Sequence, residues 1–147
     1  MEILLDDNYF MKQALIEAQK AYESDEVPVG VVVVVDQKII ARAYNLTERL
    51  TDVTAHAEMQ AITSAANFLN GKYLKGCTIY VTLEPCVMCL GALYWSQLRR
   101  IVYGASDPKR GFLQANLSPH PKTTVENGVL EKEASELLNT FFRSKRK

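Results

Sequence analysis

Two short motifs, about thirty residues apart, carry side chains that could hold a metal ion and move a proton. The first contains His56 and Glu58, and the second contains Cys86 and Cys89 directly after Pro85. One imidazole and two thiolates form a donor set that zinc prefers, and three protein ligands leave a fourth tetrahedral position for water. Glu58 is two residues from His56, so its carboxylate could handle a proton of that water without being a ligand. The two motifs therefore predict a catalytic zinc site.

A closed structural zinc site is the alternative for the same residues. It would need a fourth protein ligand, and the remaining candidates are Cys77 and His120, neither of which has ligand spacing to the group. Cys77 precedes an apolar run, which is typical of a buried small hydrophobic residue. We therefore expect a site that stays open to water, whose pKa zinc lowers from 15.7 to about 7, with Glu58 as general acid and base.

The elements that must position the two motifs follow from the spacing of apolar residues. This spacing predicts helices over about 8–24, 54–67, 86–97 and from Leu130 into the basic C-terminus, and strands over about 29–35, 38–44, 78–83 and 100–103. Residues 104–123 are predicted to form an irregular loop, and residues 124–129 are too few to assign. Helices that alternate with strands in this order indicate an α/β fold in which helices cover a sheet.

The starts of two predicted helices carry the site. Thr54 is expected to be the N-cap of the second helix, which would place His56 and Glu58 in its first turn. Cys86 and Cys89 are three residues apart at the start of the next helix, so they share one face and can grip one ion. The helix N-terminus also lowers the pKa of a thiol, which favours the thiolate that a metal needs.

Composition and charge limit the class of protein. The chain has 147 residues, of which 48% are hydrophobic, so we expect one domain over residues 1–147 with a substantial core. Three cysteines, two of them in Cys-x-x-Cys, do not suggest a disulfide framework. No apolar run is long enough to cross a bilayer, and the N-terminus lacks a basic leader followed by a long apolar region. We therefore expect a cytoplasmic protein.

The 17 basic and 17 acidic residues cancel, so bulk charge alone does not indicate a nucleic-acid binder. Their distribution along the chain is uneven, however. Residues 1–26 hold two Lys and seven Asp or Glu, whereas residues 99–147 hold ten basic and five acidic residues. A chain polarised in this way can carry a local basic surface despite its neutral total.

The two motifs together resemble the His-x-Glu and Pro-Cys-x-x-Cys signature of zinc-dependent nucleobase deaminases. Longer stretches of the chain resemble bacterial tRNA adenosine deaminases. The matching stretches are 26–30, Asn45, 54–58, 80–89, 91–92, Asp107, 109–111, 128–130 and 141–143. The match spans nearly the whole chain, although the zinc motifs alone are shared with cytidine, guanine and cytosine deaminases.

This resemblance implies a cytidine deaminase-like, three-layer α/β/α fold with a mixed five-stranded sheet, bound Zn²⁺ and a homodimer. It also implies hydrolytic conversion of adenosine to inosine at the wobble position of a tRNA anticodon, with release of ammonia. Glu58 would then pass a proton to a ring nitrogen and help protonate the departing amine. Leu93, Tyr94 and Trp95 are candidates for the subunit interface, and core packing is the alternative for them.

The resemblance also implies roles for residues outside the zinc motifs. Asn45 would hydrogen-bond the target nucleotide, the backbone N–H of Ala57 would contact the base, and Asp107 would lie near a ribose of the anticodon loop. Val27 and Pro28 would line the pocket, and the alternative for them is that they are residues at the entry to the first strand. For Asn45 the alternative is a turn residue that ends the second strand, and for Asp107 it is turn chemistry before Pro108.

An anticodon loop is single-stranded, so its target base can be splayed into a pocket while its phosphates meet basic groups. The basic groups available are Lys109, Arg110, Lys122 and the run 143–147; a solvated C-terminus is the alternative for that run. The segment 112–117, Phe-Leu-Gln-Ala-Asn-Leu, departs from many family members, which have small residues and a longer loop there. This difference does not affect the zinc motifs, but it affects which residues would contact the RNA outside the target base.

The sequence is also compatible with two other functions. The first is deamination of a free nucleobase or nucleoside, either guanine or cytosine and cytidine, because residues 90–95 also resemble guanine deaminases of this fold. The second is a zinc-stabilised RNA-binding module without turnover. Glu58 argues against that module, since a structural zinc site has no need of this carboxylate.

Overall fold

A computed structural model describes residues 4–146 of the chain. The helices are α1 (Asp7–Glu23), α2 (Ala57–Leu69), α3 (Val87–Ser96) and α4 (Glu131–Lys145), and the strands are β1 (Gly30–Val35), β2 (Lys38–Tyr44), β3 (Thr78–Leu83), β4 (Arg100–Ala105) and β5 (Thr124–Glu126). The strands form one sheet in the order β2-β1-β3-β4-β5. β1 is antiparallel to β2 and β3, whereas β3, β4 and β5 are parallel to one another. The predicted mixed five-stranded sheet is thus confirmed.

Helices cover both faces of the sheet because β1 is apolar on both. Val31 and Val33 belong to the core cluster that includes residues of α2 and α3, whereas Val32 and Val34 pack in the cluster with residues of α1. α4 packs at the end of β4, through a third cluster that contains Leu138. This alternation is the expected result for a strand buried on both faces. The predicted three-layer α/β/α architecture is confirmed.

The strand directions bring three connections to one edge of the sheet. β3 is antiparallel to β1, which is itself antiparallel to β2, so β2, β3 and β4 all run the same way. The loop after β2, the start of α3 after β3 and the loop after β4 therefore begin at the same edge. Ligands of open α/β sheets bind outside the carboxyl ends of strands, and this is where both motifs lie.

The start of α2 differs from the prediction. The helix begins at Ala57 with His56 at the N-cap, so the expectation that Thr54 caps the helix is wrong. The reason is that Thr54 is already hydrogen-bonded to Asp52. Asp52 Oδ1 accepts hydrogen bonds from the Thr54 hydroxyl at 2.7 Å and from the Thr54 N–H at 2.8 Å. Residues 52–55 consequently form a turn, and His56 precedes the first helical turn with an extended backbone.

In the C-terminal part of the chain, one segment was not assigned from the sequence, and the predicted terminal helix is confirmed. The unassigned segment contains the short strand β5, which pairs with β4, and the terminal helix α4 continues through Lys145 of the basic run. Lys147 of that run and the first three residues of the chain lie outside the described residues. Among the helices of residues 4–146, none is long and apolar enough to cross a membrane.

Candidate metal centre and active site

The three predicted metal ligands converge on one point. His56 Nδ1 is 3.6 Å from Cys86 Sγ and 3.4 Å from Cys89 Sγ, and the ligand atoms of all three residues lie within 4.8 Å of one another. A tetrahedral zinc ion with Zn–S bonds of about 2.3 Å and Zn–N bonds of about 2.0–2.1 Å separates nitrogen from sulfur by about 3.6 Å. The spacing and the donor types therefore fit a metal ion such as zinc.

Neither of the other two candidate ligands belongs to this group, which contains three side chains within the described part of the chain. Cys77 is buried in the main core cluster, as expected for a small hydrophobic residue. His120 packs against Tyr94 at a tilted angle with ring centroids 5.1 Å apart, and its Nδ1 accepts the N–H of Lys122. A site with three protein ligands keeps a position for water or substrate, which distinguishes catalytic from structural zinc sites.

Hydrogen bonds within the group already favour one thiolate. The Cys89 thiol donates to Cys86 Sγ, and this bond, with further ones from His56 and from the Cys89 backbone N–H, lowers the pKa of Cys86 to about 3. The hydrogen bond between the two cysteines raises the pKa of Cys89, which is its donor. A separate hydrogen bond between His56 and Cys86 raises the pKa of His56. Cys86 is the N-cap of α3, where backbone N–H groups also favour a thiolate.

A cleft of about 320 Å³ opens over the candidate metal ligands, and this volume is at the lower end of the range for ligand pockets. The structure brings six of the seven predicted site residues to its lining: Asn45, His56, Ala57, Glu58, Cys86 and Asp107. The seventh, Cys89, is fully buried. Val27 lines the cleft as expected, but Pro28 does not, and Val29, the residue before β1, lines it instead.

Glu58 and Ala57 reach the cleft from the first turn of α2. The Glu58 side chain is only 4% exposed, and burial raises the pKa of its carboxyl to about 7. Glu58 is not a member of the ligand group, although it lines the same cleft. Ala57 is the first residue of α2, so its backbone N–H has no acceptor within the helix. A carboxyl group and a backbone donor thus lie beside the candidate metal ligands.

Asn45 directly follows β2, and its side chain holds two neighbouring segments together. Its Nδ2 donates to the Val27 carbonyl and its Oδ1 accepts the N–H of Thr47, each at 3.3 Å. The turn role considered for this residue therefore exists in the structure. An amide group has a second N–H and a second lone pair, so Asn45 can also meet a ligand in the cleft.

Asp107 lies two residues after β4 and forms the turn that its position before Pro108 suggested. Its Oδ1 accepts the N–H of Lys109 at 3.1 Å and that of Arg110 at 3.0 Å. Both bonds use the same carboxylate oxygen. Arg110 joins Asp107 in the lining of the cleft, so this turn presents an acid and a base to it.

Two buried carboxylates beside the cleft were not assigned a role from the sequence. Glu26, 1% exposed, accepts the N–H groups of Glu48 and Arg49 at 3.0 and 2.7 Å. Glu84, 4% exposed, accepts backbone N–H groups of the loop that follows β4. The available signal was an acidic residue next to an apolar strand, where a buried carboxylate needs hydrogen-bond donors.

Comparison with known proteins places this architecture among deaminases. The family model described as MafB19-like deaminase matches residues 5–146. The tRNA-specific adenosine deaminase of Agrobacterium fabrum strain C58 is 44% identical over 97% of this chain and 98% of its own. A structure solved in a study of A-to-I editing by tRNA:A34 deaminases superposes with a TM-score of 0.80 and 45% identity, over 88% of this chain and 98% of that chain. Guanine deaminase from Bacillus subtilis superposes with a TM-score of 0.67 and 36% identity, over 69% and 66%.

Proposed function

The chain belongs to the MafB19-like deaminases and to the tRNA-specific adenosine deaminases, and on that premise we propose that it converts adenosine to inosine at the wobble position of a tRNA anticodon. The observation that carries the deamination chemistry is the convergence of His56, Cys86 and Cys89 beside the buried carboxyl of Glu58. Similarity to tRNA-specific adenosine deaminases over nearly the whole chain supports tRNA as the substrate. We further propose that residues 1–147 form one domain and that the reaction takes place in the cytoplasm, where tRNA is used.

We propose zinc as the metal, with His56, Cys86 and Cys89 as its ligands, because this donor set and its spacing suit a zinc site. When bound, zinc supplies hydroxide near neutral pH by lowering the pKa of a water molecule to about 7. Glu58 would accept one proton from the attacking water and pass it to a ring nitrogen of the base. It would then take the second proton from the hydroxyl group newly bonded to carbon and pass it to the departing amine, which leaves as ammonia. Water is consumed and ammonia leaves, so the net reaction is hydrolysis of the exocyclic C–N bond.

The walls of the cleft would hold the base. We propose that Asn45 hydrogen-bonds the target nucleotide, that the Ala57 backbone N–H donates to the base, and that Asp107 lies near a ribose of the anticodon loop. All three line the cleft together with Glu58. A single-stranded loop can place one splayed-out base in such a cleft while the adjacent nucleotides stay outside.

Deamination of free guanine is the second candidate function, because the guanine deaminase of Bacillus subtilis is also similar to this chain. That similarity covers about two thirds of each chain, whereas the tRNA:A34 deaminase structure is matched over 98% of its length at higher identity. Ammonia release should be measured side by side with tRNA, guanine, cytidine and adenosine. We expect release with tRNA at the highest kcat/KM. Release with guanine alone would favour the second candidate, and release with none would favour an RNA-binding module.

Contact with RNA phosphates predicts that binding of tRNA weakens as salt is raised. Each phosphate neutralised on a single strand contributes about −0.7 to the slope of log K against log salt. Arg110 lies at the cleft, so Arg110→Ala should weaken tRNA binding and reduce the magnitude of that slope by about 0.7 for each phosphate that the arginine neutralises. The control is Lys75→Ala, an exposed residue before the start of β3 and so at the opposite edge of the sheet. A slope near zero for the unmodified protein would contradict RNA binding through phosphates.

We propose a homodimer, supported by apolar surface on α3. Trp95 is 75% exposed and Tyr94 is partly exposed beside it, whereas Leu93 is buried in the core and is not available to a partner. Tryptophan and tyrosine supply much of the binding energy in protein interfaces. Trp95→Glu is therefore expected to shift the mass in solution, measured by light scattering, from a dimer to a monomer. Ile16→Glu on α1, also an exposed apolar position, should remain dimeric; a Trp95→Glu dimer would contradict this interface.

A further inference from the structure

The side chain of Glu84 joins the metal-binding segment to the loop that carries Asp107. Glu84 follows β3 directly, two residues before the proposed ligand Cys86, and its backbone N–H donates to the Ala105 carbonyl at 2.8 Å. Its Oε1 accepts the N–H of Asp107 and its Oε2 accepts the N–H of Leu113, both at 3.0 Å. The two oxygens of one carboxylate thus hold the two ends of residues 107–113.

The loop is wrapped closely around this carboxylate. Gly111 forms an isolated bridge with Cys86, and the N–H of Phe112 donates to the Pro85 carbonyl at 3.0 Å. A Cβ atom added at Gly111 would lie 2.2 Å from Cδ and from Oε2 of Glu84. Glycine at this position leaves room for the carboxylate, because a Cβ atom would displace the carboxylate from its two hydrogen bonds.

The residues held in this way face the substrate cleft. Asp107 and Arg110 of this loop line the cleft, and so do Glu84 and Cys86 of the segment after β3. We propose that Glu84 is a positioning residue. It holds the loop 107–113 beside the metal centre, so that Asp107 and Arg110 can contact the RNA nucleotides next to the target base. This inference rests on the proposed function. It concerns binding of the anticodon loop rather than the chemical step, because no atom of Glu84 is needed for proton transfer.

The consequence is a separation between KM and kcat. Glu84→Ala removes both acceptors, so the loop loses its fixed position and the KM for an anticodon stem-loop should rise on the order of tenfold. The kcat should change less than about threefold, since Glu58 and the metal ligands are retained. Glu84→Gln keeps one carbonyl acceptor but presents an NH₂ group to the other backbone donor, so its KM should be intermediate.

Gly111→Ala provides an independent test from the other side of the contact. In the unmodified protein the new methyl group displaces the carboxylate, so the KM should rise as in Glu84→Ala. In the Glu84→Ala background there is no carboxylate to displace. Glu84→Ala/Gly111→Ala should therefore be no worse than Glu84→Ala alone, which is the non-additivity expected of two residues in direct contact. Additive effects would contradict the proposal.

A matched control is Glu17→Gln, which also removes a buried carboxylate. Glu17 lies on α1 and accepts hydrogen bonds from Lys20 and Arg42, away from the cleft. This variant should keep the KM of the unmodified protein. Zinc content should be unchanged in every Glu84 and Gly111 variant. Loss of zinc with a fall in kcat and an unchanged KM would overturn the proposal, because Glu84 would then support Cys86 instead of the loop.

Amide hydrogen exchange decides the question without any substrate. In the unmodified protein the N–H groups of Asp107 and Leu113 should be protected, and in Glu84→Gln and Glu84→Ala they should exchange faster while α3 keeps its protection. Unchanged exchange in residues 107–113 would overturn the positioning role. If the unmodified protein fails to deaminate tRNA, the proposed function is wrong, but the exchange measurement still shows whether Glu84 holds this loop.

Discussion

Glu58→Gln is expected to reduce the single-turnover rate of inosine formation by roughly 10²–10⁴-fold while zinc remains bound. The amide is close in size to the carboxyl group, so it fits the buried position at the start of α2. It cannot accept a proton from water and return one to the base, which is the role proposed for Glu58. Rapid-quench assays of the zinc-loaded protein with an anticodon stem-loop measure the rate, and metal analysis measures the zinc.

The comparison that gives this result meaning is again Glu17→Gln, which removes a buried carboxylate from the helix layer on the other face of the sheet. That variant should turn over at nearly the unmodified rate. A Glu58→Gln protein that turned over almost normally would exclude the acid and base role. A variant that lost its zinc would instead show that this carboxyl group supports the metal ligands.

Cys89→Ala is expected to abolish both metal binding and turnover. Cys89 is fully buried and its Sγ lies 3.4 Å from His56 Nδ1, so no surface group can replace it. Two remaining ligands bind zinc far more weakly than three, and zinc bound to the native state adds its binding free energy to stability. A chelator should therefore lower the Tm of the unmodified protein but leave the Tm of Cys89→Ala unchanged.

Cys77→Ala is the matched cysteine control, because Cys77 is also fully buried but belongs to the core rather than to the ligand group. It should lose some stability through the small cavity that the substitution creates, and it should retain a full complement of zinc. Metal analysis of the two purified variants compares them directly. Equal zinc content in Cys89→Ala and Cys77→Ala would contradict the ligand assignment.

Four of the five strands and the convergent His56, Cys86 and Cys89 group were predictable because their sequence signals are local. Strand β2 has the predicted bounds, and the turn before it uses Asp36 and Gln37 with positive φ, as a two-residue type I′ turn requires. The candidate metal ligands could likewise be recognised from residue types and their spacing alone, as Cys-x-x-Cys and His-x-Glu. The start of α2 was not predicted correctly because Asp52 accepts a hydrogen bond from the Thr54 hydroxyl. That hydroxyl is therefore not used to cap the helix.

The contacts that shape the cleft could not be read from local pattern. Glu84 and its partner Leu113 are 29 residues apart, and Glu26 and its partner Arg49 are 23 apart. Each carboxylate accepts hydrogen bonds from backbone N–H groups of a distant loop. Because every residue except proline has such a donor, the residue type does not indicate the contact. The three-residue strand β5 was unassigned for a similar reason, since it exists through pairing with β4.

Position-resolved detection of inosine tests the central claim most directly. The zinc-loaded protein should be incubated with two anticodon stem-loops, one with adenosine at the wobble position and one with that adenosine moved to the next position. Nuclease digestion and mass spectrometry then locate any inosine. We predict inosine at the wobble position of the first stem-loop and none in the second. Absence of inosine from both, in a preparation that deaminates guanine or cytidine, would contradict tRNA adenosine deamination.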